Sequence, residues 1–177
     1  MEQQSKRIVI TQVTTINAIG TSFTQTEECL HNPPQLTPVQ SFQFHHLSQP
    51  VDCYRIRNLD PKEILGKKGL RNKDWATRLL LCALQSGFYP LLEETPEEQR
   101  PGLCIGTAFG SVESIGDFLS DSIENGVNSV NPQEFANTVI NSPTGNANIR
   151  YGLRNLSSTV ATGFNASLDA IIYACRY

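Results

Sequence analysis

The stretch that most constrains this chain is Ser158-Thr159-Val160-Ala161-Thr162-Gly163-Phe164-Asn165-Ala166-Ser167-Leu168-Asp169-Ala170-Ile171. A short β-prone run, Ser158 to Ala161, meets small residues, turns, and passes almost at once into an apolar helix expected over Ala166 to about Tyr173. Such a strand–turn–helix junction is a nucleophile elbow. It lifts one side chain above a sheet and sets it at a helix N-terminus, where unpaired backbone N–H groups favour negative charge. The raised position falls on Phe164, which has neither a nucleophilic atom nor a titratable group.

The rest of the chain alternates strand and helix signals. Arg7 to Val13 reads as an apolar first strand, and a weak helix is expected from about Thr24 to Leu30, before Asn32-Pro33-Pro34. Pro38 and Pro50 then mark an irregular stretch holding His45-His46, where a surface or hairpin position outweighs metal binding because no third ligand lies at useful spacing. Asp60, Pro61 and Glu63 suit a capped helical turn. The basic run Lys67, Lys68 and Arg71 is either a solvated loop or a contact for a phosphate or carrier.

Asn72 to Ser86 is the clearest helix, with Trp75, Leu79, Cys82 and Ala83 on one face, widened by Leu80, Leu81 and Leu84, and Gly87 as its stop. Gly102 to Gly110 reads as a buried strand entering a glycine turn, followed by a helix from Ser111 to about Ile123. Those glycines match neither the dinucleotide fingerprint nor the P-loop, so nucleotide binding is not indicated. Asn131 to Ala136 opens a short helix, and Val139 to Ile149 gives a turn and a further helical segment. The alternation predicts an α/β fold whose mainly parallel sheet is covered by helices.

Composition narrows the function classes. The 177 residues can bury one sizeable core as a single domain, 1–177. Only 18% are charged, which points either to more covered surface than in an average small protein or to a partner that covers it. A formal charge of −3, without a basic patch interleaved with aromatics, argues against nucleic acid. No run suits a signal peptide or a bilayer span, so a soluble cytoplasmic protein without membrane partners is expected. The five cysteines are scattered and include no CxxC pair, which indicates neither a metal site nor a disulfide framework. No cofactor is expected.

Together these segments resemble the N-terminal part of the β-ketoacyl synthases of the thiolase-like superfamily. The likeness is strongest to ketosynthase and chain-length-factor subunits of type II polyketide systems. It runs over nearly the whole chain: Ile8 to Thr11 as first strand, then Leu59-Asp60-Pro61 with Lys67, Lys68, Arg71 and Asp74. It continues through Gly106 to Ser111, Asn131 to Asn141 as the most specific long match, and Thr159 to Ala170 as the active-site segment.

The resemblance implies a thiolase-like half-fold and a place in polyketide or fatty-acid biosynthesis. It also exposes departures. Active family members carry a cysteine thiolate where this chain has Phe164, and chain-length factors commonly carry glutamine there. The neighbouring Asn165 is an amide and no substitute for a thiolate. Cys175, the nearest cysteine in sequence, lies about three helical turns, ~15 Å, further on. The family's catalytic histidines and supporting lysine come from a C-terminal half, and His31, His45 and His46 match none of them.

The expectation is therefore a truncated, catalytically inactive domain, a pseudoenzyme that is not an enzyme by itself. It acts by association with a ketosynthase, a similar chain or an acyl carrier protein, in a homo- or hetero-oligomer. Thr159, Val160, Ala161 and Thr162 are the candidate interface, and Lys67, Lys68 and Arg71 the candidate carrier contact. Phe164 would either plug the acyl position or simply replace cysteine in a buried site. The alternatives are an accessory subunit of an active condensing hetero-complex and a remnant of a split ketosynthase.

Overall fold

The computed structural model describes residues 7–33, 40–42, 48–56 and 58–177; His45 and His46 lie outside them. The described chain falls into two compact units, the first comprising Pro61–Tyr177 with residues 7–9, the second drawn from Ile10–Asp60.

The second unit is small. Its helix α1 (Phe23–His31) starts at Ser22, whose side chain accepts from the Gln25 N–H. The loop before it closes on Asn17, whose Oδ1 accepts from the N–H groups of Ile19 and Gly20. The Cys29 thiol donates to the Ile19 carbonyl at 3.3 Å. Strands β1 (Gln40–Phe42) and β2 (Val51–Cys53) form an antiparallel pair. The strand expected over Arg7 to Val13 is not formed. Residues 7–16 have no regular structure, and Ile8, Val9, Ile10 and Val13 are all at least half exposed. An apolar run has strand propensity, but only a neighbouring strand satisfies its backbone groups.

The first unit contains α2 (Pro61–Leu65), α3 (Trp75–Gly87), α4 (Tyr89–Glu93), β3 (Leu103–Gly106), α5 (Val112–Asn125), α6 (Pro132–Phe135), α7 (Ser142–Tyr151), β4 (Ser157–Val160) and α8 (Ala166–Arg176). Strands β3 and β4 are parallel, with Leu103 opposite Ser157 and Gly106 opposite Val160. Both α7 and α8 pack on this pair, and α3 packs on α7. The Thr159 hydroxyl bonds Thr144 of α7 at 2.6 Å, while Gly106, opposite the next residue Val160, abuts Ala166 and Ser167 of α8. Successive strand residues point to opposite faces, so the two helices cover opposite sides of the sheet.

Asp74 caps α3 by accepting from the Thr77 N–H at 2.9 Å. The helix runs through Gly87 and ends at Phe88, whose N–H reaches the Leu84 carbonyl. Its buried face is Thr77, Leu81, Cys82, Leu84 and Gly87, while Trp75 is 38% exposed. Cys82, Leu81 and Leu84 of the expected face are buried, whereas Trp75 is not and Leu79 and Ala83 are only half-buried. The run Leu79 to Leu84 is apolar on nearly every side, so the neighbours decide which side is covered. Tyr151 of α7 fixes the choice by donating its hydroxyl to the Leu81 carbonyl at 2.9 Å. Gly152, at φ +60°, then ends α7 in the left-handed conformation.

Candidate functional site

The elbow is built from two backbones that touch. The β3–β4 ladder is extended by Thr107, whose N–H donates to the Val160 carbonyl at 2.9 Å. The chain leaves the sheet at Ala161 and turns at Gly163, whose φ of +78° is strained for a residue with a Cβ. A single 3₁₀ turn, Gly163–Asn165, leads into α8 at the buried Ala166. Beneath that start sits Gly106. A Cβ there would lie 2.3 Å from the Ala166 carbonyl oxygen and 2.6 Å from the Ser167 Cα. Only glycine lets β3 meet the first turn of α8 this closely.

Above the junction, Phe164 is 90% exposed. Its ring meets Phe109 edge-on, with centroids 5.9 Å apart and planes at 83°. Phe109 follows β3, so the aromatic pair joins the ends of the two crossing connections. The buried-site account of Phe164 is thereby corrected: the ring stands out from the sheet rather than filling a cavity. The Thr162 hydroxyl donates to the Asp169 carboxylate, which lies in the first turn of α8. Carboxylates are favoured there by the helix dipole.

Ala166 and Ala170 anchor α8 inward, whereas Leu168, Ile171 and Ile172 are more than half exposed. The helix runs on to Arg176, three residues beyond its expected end, and carries an exposed Cys175 in its last turn. Near that end the Tyr173 hydroxyl is raised above its ordinary pKa by its hydrogen bond to Tyr177 and the charge beside it.

Of the candidate interface residues, Thr159 and Val160 lie in β4, while Ala161 and Thr162 have already left it. The ladder uses the carbonyls of Leu156 and Val160, so the N–H groups of Thr159 and Ala161 face away from β3. Among the described residues that side of β4 carries no third strand.

Lys67 and Lys68 are exposed between Gly66 and Gly69, both at positive φ. Arg71 instead lines a cleft of about 370 Å³ with Asp74, Arg78, Glu113 and Asp117. The structure therefore places the basic run beside a groove of mixed charge. Asn137 of the Asn131–Asn141 segment donates to the Asn72 carbonyl at 2.7 Å, and Asn72 donates to Gln133 at 3.2 Å. This explains why that polar segment has a fixed position. Sequence reasoning missed Phe109 and Asp169 as elbow neighbours. The short spacing from Thr162 to Asp169, on a helix's first turn, was the available signal for the second.

Among the described residues, no three His, Cys, Asp or Glu side chains gather as metal ligands. No helix there is long and apolar enough to cross a membrane.

No family model matches the sequence. The ishigamide ketosynthase/chain length factor superposes over 95% of this chain and 48% of its own, with a TM-score of 0.80 and 24% identity. The chain has the thiolase-like ketosynthase fold. A second solved structure is similar to this ketosynthase-like chain: a ketosynthase (ApeO) in complex with its chain length factor (ApeC) from Xenorhabdus doucetiae. It has a TM-score of 0.60, 19% identity, and coverage of 95% of this chain and 62% of its own.

In sequence the chain is homologous to 3-oxoacyl-[acyl-carrier-protein] synthase 2. It is 25% identical to that of Vibrio harveyi over 174 residues and 24% identical to that of Vibrio cholerae. The alignments take in 97% of this chain and 42% of each relative's length.

Proposed function

We propose that this ketosynthase-like chain is a non-catalytic accessory subunit that works by associating with a ketosynthase-like partner. Phe164 carries the proposal: at the tip of the elbow, where active relatives are expected to present a cysteine, stands a phenyl ring that cannot form a thioester. The β4 edge adds a means of association, since outward N–H and C=O groups can take a strand from another chain. A carrier contact at Lys67, Lys68 and Arg71 belongs to the same proposal, as three cations fit an acidic carrier surface.

Two measurements test it. The purified chain, incubated with an acyl-carrier thioester, should show no covalent acyl adduct by intact mass. An adduct mapped to the elbow would overturn catalytic silence. Phe164→Cys should accept the acyl group without gaining condensation. In the second measurement, a ketosynthase-like chain from the same genome should co-purify with this one. Ala161→Pro should weaken that complex, because it removes an outward N–H while leaving the β3 bonds intact. If the complex also changes turnover or product length in the partner, the chain contributes to condensation rather than to assembly alone.

A further inference from the structure

Helix α5 ends on Asn125-Gly126, the chain's single Asn-Gly pair. Both residues are exposed, and Gly126 carries the chain out of the helix at φ +86° and ψ +152°. The N–H that follows a helix's last residue commonly bonds back to a carbonyl of the preceding turn, as that of Asn32 does after α1. The Gly126 N–H makes no such bond among the described residues. The space around it is open as well, since a Cβ added to Gly126 would meet nothing within 4 Å. Its nitrogen is thus unengaged and within reach of water.

The Asn125 side chain is held only at the surface. Its Nδ2 donates to Asp121 Oδ1 at 2.7 Å, and the Ser129 hydroxyl donates to its backbone carbonyl at 2.8 Å, both bonds being exposed. Neither bond shields the side-chain carbonyl carbon, Cγ. The last turn of a helix opens readily, which lets the next residue's nitrogen approach that carbon.

We infer that Asn125 is a site of spontaneous deamidation. The Gly126 nitrogen gives its proton to hydroxide and bonds Asn125 Cγ. The Cγ–Nδ2 bond breaks, Nδ2 takes a proton from water and leaves as ammonia, and a cyclic succinimide joins the two residues. Water then opens the ring. Cleavage at Cγ leaves aspartate, and cleavage at the backbone carbonyl leaves isoaspartate, whose main chain runs through Cβ and Cγ. Water is consumed, ammonia is released, and nothing is oxidised or reduced. Glycine suits the attacking position because no Cβ crowds its nitrogen.

The product changes the helix end. A carboxylate at 125 replaces the donor that Asp121 now accepts from, and like charges at this spacing oppose helix. Negative charge is also disfavoured at a helix C-terminus. Helix α5 already bears Glu113, Asp117, Asp121 and Glu124 and has no lysine or arginine to compensate. The modification therefore loosens the last turn.

The test holds the full chain in mildly alkaline buffer at physiological temperature for days, then maps its peptides by mass and fragmentation. Residue 125 should gain the mass difference between an amide and an acid, and an isoaspartyl methyltransferase should label it. Conversion should run roughly tenfold or more faster than at Asn128, which is also exposed but whose successor Ser129 has a Cβ and a bonded N–H. Asn125→Gln keeps an amide for Asp121 but needs a larger ring to cyclise, and it should remove the label. Asn125→Asp should show the faster deuterium exchange at residues 121–125 that the aged chain acquires, and the aged Asn125→Gln chain should not. Conversion at 125 no faster than at Asn128 overturns the inference. So does an intact Asn125 in the folded chain beside rapid conversion in the urea-unfolded chain, because the helix end would then protect the amide. Exchange in Asn125→Asp equal to the unmodified chain's overturns the loosening.

Discussion

Replacing Gly106 with alanine tests the backbone contact that seats the elbow. The added Cβ would lie 2.3 Å from the Ala166 oxygen, 2.5 Å from its carbonyl carbon and 2.6 Å from the Ser167 Cα. All three are backbone atoms, so no side chain can rotate away. Relief requires β3 and the first turn of α8 to separate by about an ångström, which also disturbs the buried Ala166 and Ala170. Overpacking commonly costs 1–3 kcal/mol, and an obstruction made wholly of backbone belongs at or above the top, ~3 kcal/mol. With a urea m-value of about 2 kcal/mol/M, the midpoint should fall by ~1.5 M. Trp75, the chain's single tryptophan, lies in the same unit and reports its unfolding by fluorescence. Gly145→Ala is the control: a Cβ there meets nothing within 4 Å, and the helical site should gain roughly 0.5–1 kcal/mol. A Gly106→Ala midpoint equal to or above the unmodified chain's would refute the close contact and the seating derived from it.

Other perturbations follow from single contacts. Gly152→Ala should destabilise by more than about 1 kcal/mol in the same assay, because φ is +60° and its Cβ would sit 2.5 Å from an Arg100 guanidinium nitrogen. That nitrogen also donates to the Tyr151 carbonyl at 2.8 Å. Asp169→Ala should cost about 0.5–1 kcal/mol through loss of the Thr162 bond and the first-turn carboxylate, and deuterium exchange should show faster opening of the first α8 turn. Burial raises the Tyr151 hydroxyl above the ordinary tyrosine pKa, with Arg150 acting in the opposite direction. Its neutral form is favoured in the folded state, so its contribution is complete below about pH 10 and is lost as pH rises through the folded value. Tyr151→Phe should therefore lower stability by about 1 kcal/mol at neutral pH and flatten the alkaline fall in urea midpoint.

Local signals carried much of this architecture. The helix from Trp75, the strand after Gly102 and the strand–turn–helix at Gly163 all rest on short-range chemistry: a cap, an apolar run, a glycine that can turn. Their boundaries moved by a few residues, as at Gly87, which closes α3 from inside its last turn. What the sequence left open was set by distant neighbours. Arg7 to Val13 has the composition of a strand but pairs with no other strand among the described residues. The apolar run Leu79 to Leu84 does not say which side is covered until Tyr151 bonds Leu81. At the site, Phe164 could be located from spacing alone. Its exposure and its contact with Phe109 could not, because they depend on how two separate connections cross above one sheet.

The joint at Gly106 has a wider consequence for how such a chain can change. Because the turn is gripped from below, at main-chain atoms, the side chain on top bears none of the strain of holding it. Residue 164 is thus free to change without loosening its mount. A substitution at the tip can therefore alter what the elbow presents while the joint beneath it stays as it is.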